Sequence, residues 1–123
     1  MRILSIDDAK FIRSKIRNTV IEMDHDFLEA ENGSEALQLL DKTGMVDLIL
    51  LDYNMPVMDG IETLKRLKAD SRFCMIPVVM VTTEIEKTKV IDALQNGAVD
   101  YVMKPFEDED LVQKISRHLP QCG

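Results

Sequence analysis

Five side chains at the ends of apolar runs have the right types for phosphoryl chemistry. Asp7 and Asp8 follow the run 2–6, Asp52 closes the run 47–52, Thr82 ends the run 77–82 and Lys104 follows the run 100–103. Three carboxylates held close together repel, and their pKa values rise unless a cation is present. A hard divalent ion relieves that repulsion. Mg2+ suits a site with few carboxylates, several waters and a phosphate oxygen. An ammonium such as that of Lys104 pairs with an anion, and a hydroxyl such as that of Thr82 donates to an oxygen. A carboxylate also attacks phosphorus to give an aspartyl phosphate. Each residue alone has a plainer role. Asp7 and Asp8 would cap a helix, Asp52 would be a solvated strand end, Thr82 a loop hydroxyl and Lys104 a surface lysine. Their coincidence at successive strand ends favours a site.

Such a convergence requires strands that all run the same way. The hydrophobic pattern predicts strands over 2–6, 26–30, 47–52, 77–82 and 100–103. The runs at 47–52 and 77–82 are nearly continuous, as in parallel strands covered on both faces. Helices are predicted over 10–23, 34–41, 61–69 and 109–119, with a further helix after Thr83. In the first, Phe11, Ile12, Ile16, Thr19, Val20 and Met23 are expected on one inward face. Thr83 with Glu86 matches a capping box, while Gly44 and Asn96-Gly97 follow helix ends. Gly60 is expected to supply a flexible turn and Pro56 to stiffen the preceding loop. Five strand–helix units in strict alternation predict an α/β fold, a doubly wound parallel sheet with helices on both faces. Ligands of such sheets bind beyond the carboxyl ends of the strands.

Composition narrows the classes. The 123 residues suffice for one domain, and 46% hydrophobic with 30% charged residues excludes disorder by composition. The net charge of -7 disfavours nucleic acid and anionic membrane surfaces, since both attract Lys and Arg. Cys74 and Cys122 match no metal or redox spacing and suit a reducing compartment. With no signal-peptide pattern and no long apolar window, a cytoplasmic, monomeric protein is expected. The methionines read as core and loop filler. His118 reads as a complement to its helix dipole, and Lys114 as a solvated lysine.

These residues together resemble the response-regulator receiver domain family, and within it the stand-alone chemotaxis regulators (CheY-like). The resemblance rests on Asp7-Asp8, on Leu50-Leu51-Asp52-Tyr53-Asn54-Met55-Pro56 with Met58-Asp59-Gly60, on Thr82, and on Tyr101 with Lys104-Pro105-Phe106. It covers the whole chain. It implies a (βα)5 flavodoxin-like fold with strand order 2-1-3-4-5, a single receiver domain over 1–123 and no output domain. It implies that Asp52 is the phosphoacceptor. Asp8, Asp52 and the Asn54 backbone carbonyl would bind Mg2+ (or Mn2+), with Asp7 acting through water. Lys104 would contact the phosphoryl group, Thr82 would move to bond it, and Tyr101 would turn inward. That motion would alter the face of helix 4, strand 5 and helix 5. Asn54 and Glu84 would tune the lifetime of the phosphorylated state toward fast self-dephosphorylation.

The expected function is therefore a phosphorylation switch in two-component signalling, not an enzyme acting on other molecules. The donor would be a sensor histidine kinase, and the receiver of the signal a flagellar motor switch protein, a phosphatase or another downstream protein. A phosphorelay or another non-chemotaxis pathway is the near alternative. A phosphatase or phosphotransferase with Asp52 as nucleophile is a more distant one, weakened because the second acid such enzymes carry is replaced by Asn54. A flavodoxin-like cofactor binder would need a Ser/Thr/Gly-rich phosphate loop where Asp7-Asp8-Ala9-Lys10 stands.

Overall fold

A computed structural model describes residues 1–53, 55, 57–83 and 89–119. The elements alternate as expected: β1 Arg2–Ile6, α1 Lys10–Glu22, β2 Asp26–Ala30, α2 Gly33–Thr43 and β3 Leu48–Asp52. They continue with α3 Gly60–Ala69, β4 Val78–Thr83, α4 Val90–Gln95, β5 Asp100–Lys104 and α5 Asp108–His118. The strands form one parallel sheet in the order β2-β1-β3-β4-β5. β3 is central, flanked by β1 and β4, so its side chains need apolar cover on both faces. Leu48 and Leu50 point into one core layer, while Ile49 and Leu51 point into the other. This alternation explains why β3 reads as an unbroken apolar run. Truncating Leu50 to Ala should cost about 2–5 kcal/mol through lost transfer energy and a cavity.

The helices divide accordingly. Ile16 and Val20 of α1 share a layer with Leu111 and Ile115 of α5. Ala36 and Leu40 of α2, Leu64 and Leu67 of α3, and Ala93 of α4 fill the other. Most element ends differ from expectation by one or two residues. One larger correction concerns α1. Phe11 is not inward but 77% exposed, and Arg13 is buried instead, at 6%. Phe11 lies two residues, or about 200° of helix turn, from Arg13. An apolar side chain at the edge of a stripe is therefore easily placed on the wrong side.

Local caps agree with simple physical chemistry. Asn32 and Asp59 cap α2 and α3 by accepting from the Glu35 and Glu62 amides. Glu107 and Asp110 form a capping box at α5. Gly44 and Gly97 follow helices with φ of +80° and +107°, where a side chain would be strained. The expected capping box of Thr83 with Glu86 lies outside the described residues, since Glu86 does.

Candidate functional site

Because all five strands are parallel, their carboxyl ends share one edge of the sheet. Ile6 pairs with Leu51, Asp52 with Val81 and Thr83 with Lys104. Asp7 thus leaves β1 beside Asp52, Thr82 stands on the opposite neighbour, and Lys104 approaches from the next strand out. Asp7, Asp52 and Thr82 are buried, with relative exposures of 1%, 3% and 0%. Asp8 is exposed.

The groups meet as the spacing suggests. Lys104 Nζ lies 3.0 Å from Asp7 Oδ2 and 3.1 Å from Asp52 Oδ1. It donates a hydrogen bond to Asp52, but among the described residues Asp7 Oδ2 has only the ion pair and no hydrogen bond of good geometry. The other Asp7 oxygen accepts from the Ala9 amide at 2.8 Å. Carboxylate oxygens of Asp7, Asp8 and Asp52 all lie within 4.8 Å of one another. Neither Asp7 nor Asp8 caps α1, because Ala9 occupies the cap without a side-chain bond.

The electrostatics follow from two buried acids sharing one ammonium. Burial, then the Asp7 charge, push the Asp52 carboxyl up to about 7, although Lys104 pulls it down. Burial opposes the charge of Lys104, but Asp52 and Asp7 outweigh it and hold the ammonium above its usual range. The centre is short of positive charge. The donor set, hard carboxylates with one oxygen lacking a hydrogen bond, fits a hard divalent cation.

Several residues position this centre. Gly60, the first residue of α3, is needed for close approach rather than for the expected flexible turn. A Cβ there would collide with the Asp52 carbonyl oxygen and come within 2.8 Å of Tyr53 Cα. The Gly60 amide instead donates to Tyr53 O at 2.8 Å. Arg13, which the apolar pattern missed, donates to the Asp7 carbonyl at 2.7 Å and to Glu29 at 2.7 Å. It ties the loop after β1 to α1 and β2. A cation four residues into a helix carries no apolar signature, so periodicity alone does not reveal it.

The expected switch residues have partners other than the carboxylates. The Thr82 hydroxyl donates to the Thr83 carbonyl at 3.3 Å. Tyr101 is half-buried against the core and lies beneath Lys114, whose Nζ is 5.6 Å from the ring centroid. Tyr101, Met103, Pro105, Gln113 and Lys114 help line a cavity of about 320 Å³ between β5 and α5. Lys114 is not a solvated lysine, for it pairs with Asp100 at 2.9 Å. His118 likewise bonds Asp100, at 2.8 Å, and does more than complement a dipole. Asn54 and Glu84 lie outside the described residues. Among the described helices, none is long and apolar enough to cross a membrane.

This fold with its acidic edge defines a class, and the comparisons agree. Residues 3–116 match the response regulator receiver domain, and the chain belongs to that family. It is a CheY-like receiver domain, a signalling module of two-component systems. It is 40% identical over 116 residues to the chemotaxis protein CheY1 of Helicobacter pylori, covering 94% of each chain. It is 41% identical over 116 residues to the chemotaxis protein CheY homolog of Campylobacter jejuni, covering 94% of this chain and 89% of that one. Its fold matches the chemotaxis protein CheY4 of Vibrio cholerae with a TM-score of 0.88 at 33% identity, over 96% and 98% of the two chains. The receiver domain of NtrX from Brucella abortus gives a TM-score of 0.89 at 26% identity, over 95% and 97%.

Proposed function

We propose that Asp52 is the phosphoacceptor of a chemotaxis switch. The observation that carries this reading is the pairing of Asp52 with Lys104 beside Asp7 and Asp8, at the centre of the carboxyl edge. An ionised Asp52 oxygen attacks phosphorus in line, and the bond from phosphorus to a histidine nitrogen of the donor kinase breaks. The nitrogen keeps the electron pair. Mg2+, when bound, neutralises charge on the phosphoryl oxygens. Asp8 and Asp52 would hold it, with the Asn54 carbonyl and with Asp7 through water.

Lys104 then follows the negative charge from the carboxylates to the phosphoryl group, as a compact cation on a flexible stem can. Thr82 exchanges its backbone acceptor for a phosphoryl oxygen, and Tyr101 turns inward. The face of α4, β5 and α5 thereby changes, and a flagellar motor switch protein or a phosphatase reads it. Water attack at phosphorus releases inorganic phosphate and restores the carboxylate, with Asn54 and Glu84 tuning the rate.

Intact mass after incubation with Mg2+ and acetyl phosphate tests the reading. The expected result is one added phosphoryl group, absent from Asp52→Asn. Equal uptake by Asp52→Asn would sink it. Sampling the same mass after the donor is removed tests self-dephosphorylation, and a phosphate retained for hours with Mg2+ present would contradict it.

A further inference from the structure

Lys104 is the last residue of β5, which among the described residues is an edge strand paired only with β4. Beyond it no second strand holds the backbone until Glu107 begins the cap of α5. The intervening loop nevertheless has an anchor on another element. Lys15, on α1, donates from Nζ to the Phe106 carbonyl at 2.7 Å, and the same ammonium lies 4.8 Å over the Phe106 ring. The Phe106 ring is itself 2% exposed, in the layer shared by Ile16, Leu111 and Ile115. A charged donor on a carbonyl is stronger than a neutral one, and the stacked ring adds a cation–π attraction. One side chain thus fixes both the backbone and the ring two residues beyond Lys104.

The reach of the Lys104 ammonium depends on where its Cα sits, because a flexible stem of fixed length carries the charge only so far from the backbone. We propose that Lys15 is a positioning residue for the phosphoryl site. It holds the β5–α5 loop so that Lys104 reaches the point between Asp7 and Asp52 where a phosphoryl oxygen would arrive. Arg13 performs the matching task on the other side, through the Asp7 carbonyl. α1 therefore braces two of the loops around the centre, those after β1 and β5, each by a cation on a backbone oxygen. The inference rests on the reading of Asp52 as phosphoacceptor.

Beryllofluoride, a phosphoryl stand-in, separates the two. Its binding with Mg2+ is followed by fluorine NMR, and Mg2+ affinity without fluoride and thermal melting are measured on the same variants. Lys15→Met keeps the stem but removes the donor. It should weaken beryllofluoride roughly five- to tenfold, the scale of a partly transmitted charged hydrogen bond, with Mg2+ affinity unchanged and only a modest drop in melting temperature. Lys15→Arg should restore binding. Unchanged beryllofluoride affinity in Lys15→Met would overturn the proposal, as would an equal loss of Mg2+ affinity, or failure of Lys15→Arg to rescue. Wild-type protein that fails to bind beryllofluoride, or Asp52→Asn that binds it equally, would instead overturn the Asp52 reading.

Discussion

Two acid–cation clusters sit at opposite ends of the sheet and have opposite balances. At the carboxyl edge, Asp7 and Asp52 share the single ammonium of Lys104. At the start of β5, one carboxylate, Asp100, is shared by Lys114 at 2.9 Å, His118 at 2.8 Å and Arg117 at 3.7 Å. Asp100 also accepts from the Tyr101 amide at 2.8 Å. Burial raises both acids, but only Asp100 has enough donors to overcome it. Its carboxyl falls to about 2, held by Lys114, then His118 and the amide, whereas Asp52 rises to about 7. A cluster rich in donors is complete in itself. A cluster rich in anions is stable only when something positive arrives, and this difference separates a structural pair from a candidate site.

The comparison can be broken at the lysines first. Lys104→Met should destabilise the metal-free protein at pH 8 by about 2–3 kcal/mol, because two buried acids lose the one counter-charge they have among the described residues. Lys114→Met should cost under about 1 kcal/mol, since Asp100 keeps His118 and its amide. Equal losses in urea melts would erase the distinction. Asp52→Asn should go the other way and stabilise the metal-free protein at pH 8 by about 1–2 kcal/mol, by removing a poorly compensated charge. A loss of stability there would mean that Asp52 is adequately compensated.

pH sharpens this. The folded Asp52 carboxyl titrates near 7 and the ordinary value is 3.8, so folded protein keeps a proton that unfolded chain releases between them. Stability of wild type relative to Asp52→Asn should therefore fall as pH rises from about 4 to about 7 and level off above. A constant gap across that window, in melts without Mg2+, would contradict the raised carboxyl. Asp100 has the opposite sign. Its depressed carboxyl contributes stability above 3.8 that is lost as pH falls through about 2. Asp100→Asn should cost only about 1 kcal/mol or less at pH 7, the smallest effect of the set, because the cluster is partly exposed. A loss as large as that of Lys104→Met would place the two clusters on the same footing.

Much of the carboxyl edge was legible because each acid or lysine follows a strand, and strand ends are marked by a change from apolar to charged residues. Asp7, Asp52 and Lys104 needed only parallel strands to meet. The strand order came from the family resemblance, since alternation alone leaves several orders open. The second cluster was not legible. Asp100 opens β5 and His118 ends α5, and no motif links them. They meet because α5 runs back along β5, which places the end of the helix beside the start of the strand.

The amino-acid sequence by itself determined the alternation of strands and helices and the chemical types at their ends. Apolar periodicity and strand-terminal charges are local properties of the chain. Only the tertiary structure decided which cations serve which carbonyls, as with Arg13 on Asp7 and Lys15 on Phe106. It also decided that Gly60 must lack a side chain, because the α3 backbone closes on the end of β3. These are contacts between elements far apart in sequence, and they exist only once packing has brought the two backbones within reach.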